Sequence, residues 1–134
     1  MNIYLDIDGV ILANDKEPAR HVKEFLKYVT DNYPTYWLTT HCRQEENYVI
    51  PLLSKFLDKQ TMELAEKIKP TKWSTSKTEG IDFSKSFLWF DDYIFDFEKD
   101  DLIKHNALKS WIEVDLSKNV DQLLDFVHNF PIRI

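Results

Sequence analysis

Glycine is nearly absent from this chain: Gly9 and Gly80 are the only 2 among 134 residues. That scarcity excludes a glycine-rich phosphate loop and a dinucleotide-binding fingerprint, both of which need several glycines for tight turns and close backbone approach. Cysteine is scarcer still. Cys42 stands alone, so no internal disulfide can form, as expected in a reducing cytoplasm. No apolar run approaches the length of a membrane span, and the N-terminus lacks the basic start and long apolar middle of a signal peptide. A cytoplasmic protein without a membrane partner is the expectation. An excess of positive charge is missing too. The net charge of -6 provides no broad, nonspecific attraction for nucleic acid, although a local basic site stays open. Repeats, linkers and low-complexity tracts are likewise absent.

What is present suits a globular domain. The chain is 43% hydrophobic with 9 Phe, 6 Tyr and 4 Trp, enough apolar matter for one core over residues 1–134. Strands and helices alternate. A strand is expected over 2–7, where Ile3, Tyr4, Leu5 and Ile7 supply β-branched and aromatic side chains. A helix follows from Pro18 to Tyr28, ended by Asn32-Tyr33-Pro34. Thr35 to Thr40 read as a second strand, and Glu45 to Phe56 as a helix that Pro51 makes irregular. A third helix runs near Met62 to Ile68 and stops at Pro70. Phe87 to Phe90 is the most hydrophobic run and reads as a strand buried on both faces. A short helix over 96–104, a strand over Trp111 to Val114 and a closing helix from Val120 to Phe130 complete the pattern. Such alternation predicts a Rossmann-like, three-layer α/β sandwich with a central parallel sheet of about five strands, strand one in the middle.

Ligands of open parallel sheets bind beyond the carboxyl ends of the strands, so the residues after each strand matter most. Strand one delivers Asp6 and Asp8, then Gly9, which permits a sharp turn. In an extended strand, residues i and i+2 share a face, and two carboxylates so close repel unless a cation or a proton intervenes. Strand two delivers Thr39, Thr40 and His41. The run 87–90 delivers Asp91 and Asp92, and Lys77 precedes it in the polar segment Ser74 to Glu79. Carboxylates without histidine or thiol partners in the same motifs favour a hard cation, Mg²⁺. A hydroxyl and an ammonium at the same rim supply donors for a phosphoryl group.

In that order, the motifs resemble those of the haloacid dehalogenase-like superfamily of phosphotransferases. Its DxDG motif matches Asp6-Ile7-Asp8-Gly9, and its apolar strand ending in Thr or Ser matches Trp37-Leu38-Thr39. Its lysine falls on Lys77, and its apolar strand ending in acidic residues on Phe90-Asp91-Asp92. The likeness extends over essentially the whole chain and is nearest to small bacterial domains, including those of RNA-repair proteins. It implies a Mg²⁺-dependent phosphatase. Asp6 would be the nucleophile that forms an aspartyl-phosphate, and Asp8 the acid and base. Thr39 would hold the phosphoryl group, helped by backbone N–H groups near Thr40 and Gly9, and Lys77 would neutralise charge. Asp6, Asp91, Asp92 and the backbone carbonyl of Asp8 would hold the ion. Family members that act on small metabolites usually carry a cap domain. Here about thirty residues separate Asp8 from Thr39, so the resemblance implies an open, capless site for a phosphate on a larger molecule, such as a nucleotide or a nucleic-acid end.

Other readings stand beside these. Thr40 competes with Thr39 as the hydroxyl ligand, and Lys69 and Lys72 compete with Lys77. His41 and Cys42 read as local polarity, and the charged stretch Asp96, Glu98, Asp100 and Asp101 as a solvated helix face. Trp73 is the tryptophan expected to touch substrate. The whole chain also admits two other functions. One is a catalytically silent binding module of the same fold. The other is a phospho-acceptor receiver domain, disfavoured because its lysine follows the threonine near the C-terminal strand.

Overall fold

The computed structural model describes residues 1–42 and 48–132. Five strands form one parallel sheet: β1 (Asn2–Leu5), β2 (Thr35–Trp37), β3 (Lys69–Pro70), β4 (Phe87–Asp91) and β5 (Trp111–Glu113), in the spatial order β3-β2-β1-β4-β5. The helices are α1 (Val22–Asn32), α2 (Val49–Leu53), α3 (Lys59–Ala65), α4 (Asp96–Lys104) and α5 (Gln122–His128). β1 lies in the middle, as the alternating pattern predicts. Among the described residues no helix is long and apolar enough to cross a membrane.

Strand periodicity sorts the core into two layers. Ile3, Leu5, Trp37, Leu88, Phe90 and Ile112 face one side, where they pack with Phe25 and Leu26 of α1, Met62 of α3 and Leu123 of α5. Tyr4, Phe87 and Trp89 face the other, against Trp73, Ile81 and Leu102 of α4. All five residues of β4 are buried, which explains why that run carries no alternation of polarity.

Several expectations shift in detail. β1 ends at Leu5 rather than at residue 7, because the Ile7 carbonyl accepts the N–H groups of Val10, Ile11 and Leu12 (3.2, 2.9 and 3.0 Å) and so opens a turn. The third helix starts earlier than its apolar residues suggest, since the Asp58 carboxylate caps it by accepting the Thr61 N–H at 2.8 Å. β3 is too short to carry a pattern, and its proline is tolerated because the strand lies at the sheet edge. The helix expected from Glu45 is described only from Val49 to Leu53, with Pro51 inside it. Residues 45–47 of that expectation lie outside the described residues.

Phe90 packs against rings from two helices. Its fully buried ring meets Phe25 edge-on at 5.4 Å and Phe126 at 5.1 Å between centroids. Phe90→Ala should therefore cost about 3–5 kcal/mol of stability in urea denaturation, whereas a loss below about 1 kcal/mol would place the core elsewhere.

Candidate active site

Sheet register assembles the site. β1 and β4 pair Tyr4 with Trp89 and Leu5 with Phe90, so the next step along both strands sets Asp6 beside Asp91. The Asp6 N–H donates to the Phe90 carbonyl at 3.0 Å and extends the ladder to that point. Both aspartates continue the parity of Tyr4 and Trp89, the face covered by α4 and the segment before β4. From that segment comes Lys77. Its Nζ lies 2.7 Å from Asp91 Oδ2 and 3.5 Å from Asp6 Oδ2. Asp6 and Asp91 are buried, and the Lys77 side chain is only 12% exposed.

Asp92 completes a group of three carboxylates, Asp6, Asp91 and Asp92, with an oxygen of each within 4.8 Å of the others. Gly9 makes room for Asp92. Its φ is +84°, and a Cβ there would lie 2.5 Å from Asp92 Cγ and 2.9 Å from Asp92 Cβ. Both the backbone conformation and the close approach require glycine. An all-oxygen donor set of this kind suits a hard divalent cation.

The charges are costly where they lie. Asp91 is pushed from an ordinary 3.8 up to about 9, first by burial and then by the neighbouring Asp6, against the pull of Lys77 and the Tyr93 N–H. Asp6 is raised as well, chiefly by burial, although Lys77 and bonds from Ile7 N–H, Asp91 and Thr39 oppose it. Burial also works against the Lys77 ammonium, but Asp6 and Asp91 outweigh it and its proton is held more firmly than usual. Without a cation, one proton shared by the Asp6–Asp91 pair relieves the repulsion.

The turn that presents Lys77 is braced from two sides. Glu79 accepts the N–H groups of Ser74, Thr75 and Ser76 at 3.1, 3.2 and 2.9 Å, while the Ser76 hydroxyl caps the short helix Lys77–Gly80. Glu98 of α4, only 3% exposed, accepts the Lys77 N–H through Oε2 and the Phe95 N–H through Oε1, both at 3.0 Å. Thr78 donates to Asp101 at 2.6 Å. The expectation of a solvated helix face at 96–101 is thus wrong for Glu98 and Asp101, which join α4 to the lysine turn. Apolar spacing gave no hint of this, because the partners of Glu98 are backbone N–H groups.

The remaining candidates separate clearly. Thr39 is fully buried and its side chain helps to hold down the pKa of Asp6, whereas Thr40 is exposed at the start of the short helix Thr40–Cys42. Lys69 and Lys72 are exposed. Trp73, expected at the substrate, is instead a core residue whose Nε1–H donates to the Thr39 carbonyl at 3.2 Å. Cys42 is buried, with Sγ 3.4 Å from the same carbonyl.

Asp8 does not turn its carboxylate to the cluster. The early end of β1 removes it from the i, i+2 relation with Asp6, and its carboxylate meets His41 Nε2 at 3.0 Å and Lys16 Nζ at 3.3 Å. Burial alone would raise its pKa, but those two partners outweigh it and hold the carboxylate below its ordinary range.

A pH dependence follows for the metal-free protein. The folded state keeps a proton on Asp91 up to about pH 9, while the unfolded chain loses it near 3.8. The stability this group contributes is complete below about pH 4 and is lost as pH rises through about 9. In EDTA, wild-type Tm should fall between about pH 5 and 9 more steeply than that of Asp91→Asn; parallel slopes would show that Asp91 is not the titrating group. Comparison of the chain with protein-family models, curated proteins and solved structures gave no match.

Proposed function

We propose that this protein is a Mg²⁺-dependent phosphatase of the haloacid dehalogenase type that works through an aspartyl-phosphate on Asp6. One observation carries the reading. Asp6, Asp91 and Asp92 converge at the carboxyl end of a parallel sheet, and one buried lysine bridges the first two. A carboxylate can approach an anionic phosphate only where positive charge cancels the repulsion. Lys77 supplies part of that charge. Mg²⁺ held by Asp6, Asp91, Asp92 and the backbone carbonyl of Asp8 would supply the rest as a Lewis acid.

The residues then divide the work. Asp6 attacks phosphorus as the ester P–O bond breaks, and the leaving oxygen takes a proton from Asp8. Water attacks the aspartyl-phosphate and gives its proton to Asp8, so that phosphate leaves and Asp6 is restored. His41 and Lys16 keep Asp8 ionised in the resting site, the form that accepts a proton. An arriving phosphate dianion raises its proton affinity, so that Asp8 takes up a proton from solvent before the first step. Thr39 and backbone N–H groups near Thr40 and Gly9 hold the phosphoryl oxygens.

An open, capless site would admit a phosphate on a nucleotide or a nucleic-acid end. Tyr93, Phe95 and Phe97 support a flat leaving group. They follow Asp92 directly and are 62%, 55% and 47% exposed, with the rings of Phe95 and Phe97 stacked at 5.5 Å. Exposed aromatic rings offer sequence-tolerant stacking for a base. The acidic chain favours such local contacts over a long polyanion. A screen of phosphorylated metabolites, nucleotides and oligonucleotides with 3′- or 5′-phosphates, run with Mg²⁺, would identify the substrate.

Asp6→Asn keeps the shape of the side chain but removes the nucleophile. Hydrolysis of the best substrate should fall about 10⁴-fold or more, and beryllium fluoride, which mimics a phosphoryl group on a carboxylate, should bind wild type alone. Undiminished turnover by Asp6→Asn would rule out the covalent mechanism, and activity traced to a contaminant would favour a binding module.

A further inference from the structure

Asp8 has both oxygens engaged by partners of different character. Oδ1 meets Lys16 at 3.3 Å, from an exposed side chain in the excursion between Leu12 and Pro18. An exposed ammonium on a flexible stem makes a weak, readily broken pair. Oδ2 meets Nε2 of His41 at 3.0 Å, and that side chain is only 28% exposed. The base of His41 is fixed. Its N–H donates to the Thr39 hydroxyl at 3.4 Å, and the Thr39 carbonyl is pinned by Trp73 Nε1 at 3.2 Å and by the Cys42 N–H at 3.2 Å. The turn that positions the phosphoryl-binding hydroxyl therefore also positions the imidazole.

We infer that His41 is a positioning residue for Asp8, resting on the phosphatase reading above. Its Nε2–H holds Oδ2, turns the Asp8 carboxylate away from the Asp6–Asp91–Asp92 cluster and leaves Oδ1 to carry the mobile proton. In the first step the Oδ1–H proton passes to the departing ester oxygen while the P–O bond breaks and the Asp6 O–P bond forms. In the second, Oδ1 takes a proton from the attacking water. His41 keeps its own proton throughout. Without it the carboxylate turns freely, and the step that suffers is proton delivery. That loss matters most where the leaving group is a poor one.

Two aryl esters of similar shape make the test: p-nitrophenyl phosphate, whose leaving group needs no proton, and phenyl phosphate, whose leaving group does. With Mg²⁺ present, single-turnover release of phenol from phenyl phosphate at saturating ester, which reports the first step alone, should be about tenfold or more slower in His41→Ala, yet single-turnover release of p-nitrophenol from p-nitrophenyl phosphate should stay within about threefold. His41→Gln, whose amide N–H reaches the position of Nε2, should regain most of the loss. A folded His41→Ala that loses equally on both esters, or on neither, overturns the positioning role and leaves the phosphatase reading intact; so does a lack of rescue by glutamine. Wild type that hydrolyses neither ester overturns both.

Discussion

Two buried carboxylates, Asp6 and Asp91, share a single ammonium, Lys77, and the rest of the site depends on that imbalance. Burying an ion costs on the order of several kcal/mol even after relaxation, and here two anions lie against one cation with Asp92 close by. The pair responds by holding on to a proton, which is why Asp91 is raised so far. A proton and a divalent cation are alternative ways to satisfy the same oxygens. The arrangement costs stability and is retained by a fold that has ample apolar core elsewhere, as expected where a site is built for binding rather than for stability.

The supporting structure keeps these groups from moving apart. Parallel register fixes Asp6 beside Asp91. Gly9 lets the first loop fold closely over Asp92. Glu98 and Glu79 hold the lysine turn through backbone N–H groups, so the position of the Nζ does not rely on ion pairing alone. Asp8, released by the turn at Ile7, is placed in a different electrostatic setting and has its pKa lowered rather than raised. Two carboxylates only two residues apart are thus pushed in opposite directions. That divergence is what separate roles require.

Much of this was legible in the sequence, for physical reasons. The apolar runs before Asp6, Thr39 and Asp91 marked strand ends, and parallel sheets gather such ends on one side. The limits of α4 matched the expected 96–104. Three features were not legible. The two-residue β3 has no periodicity to read. The burial of Glu98 depends on backbone partners, one of them 21 residues away, and a charged residue in a charged stretch looks solvated. The Asp8–His41 contact spans 33 residues and arises only because β1 stops early. In the last two cases a tertiary contact overrode a local pattern, and both lie at the candidate site, where local rules are most often broken.

The central claim, that the acidic cluster exchanges a proton for a divalent cation, has a direct measurement. Calorimetric titration of Mg²⁺ into the protein at about pH 7.5, repeated in buffers of different ionisation enthalpy, counts the protons released per ion bound. Release of close to one proton, abolished in Asp91→Asn, is the expected result. Binding without proton release, or release that survives Asp91→Asn unchanged, would contradict it.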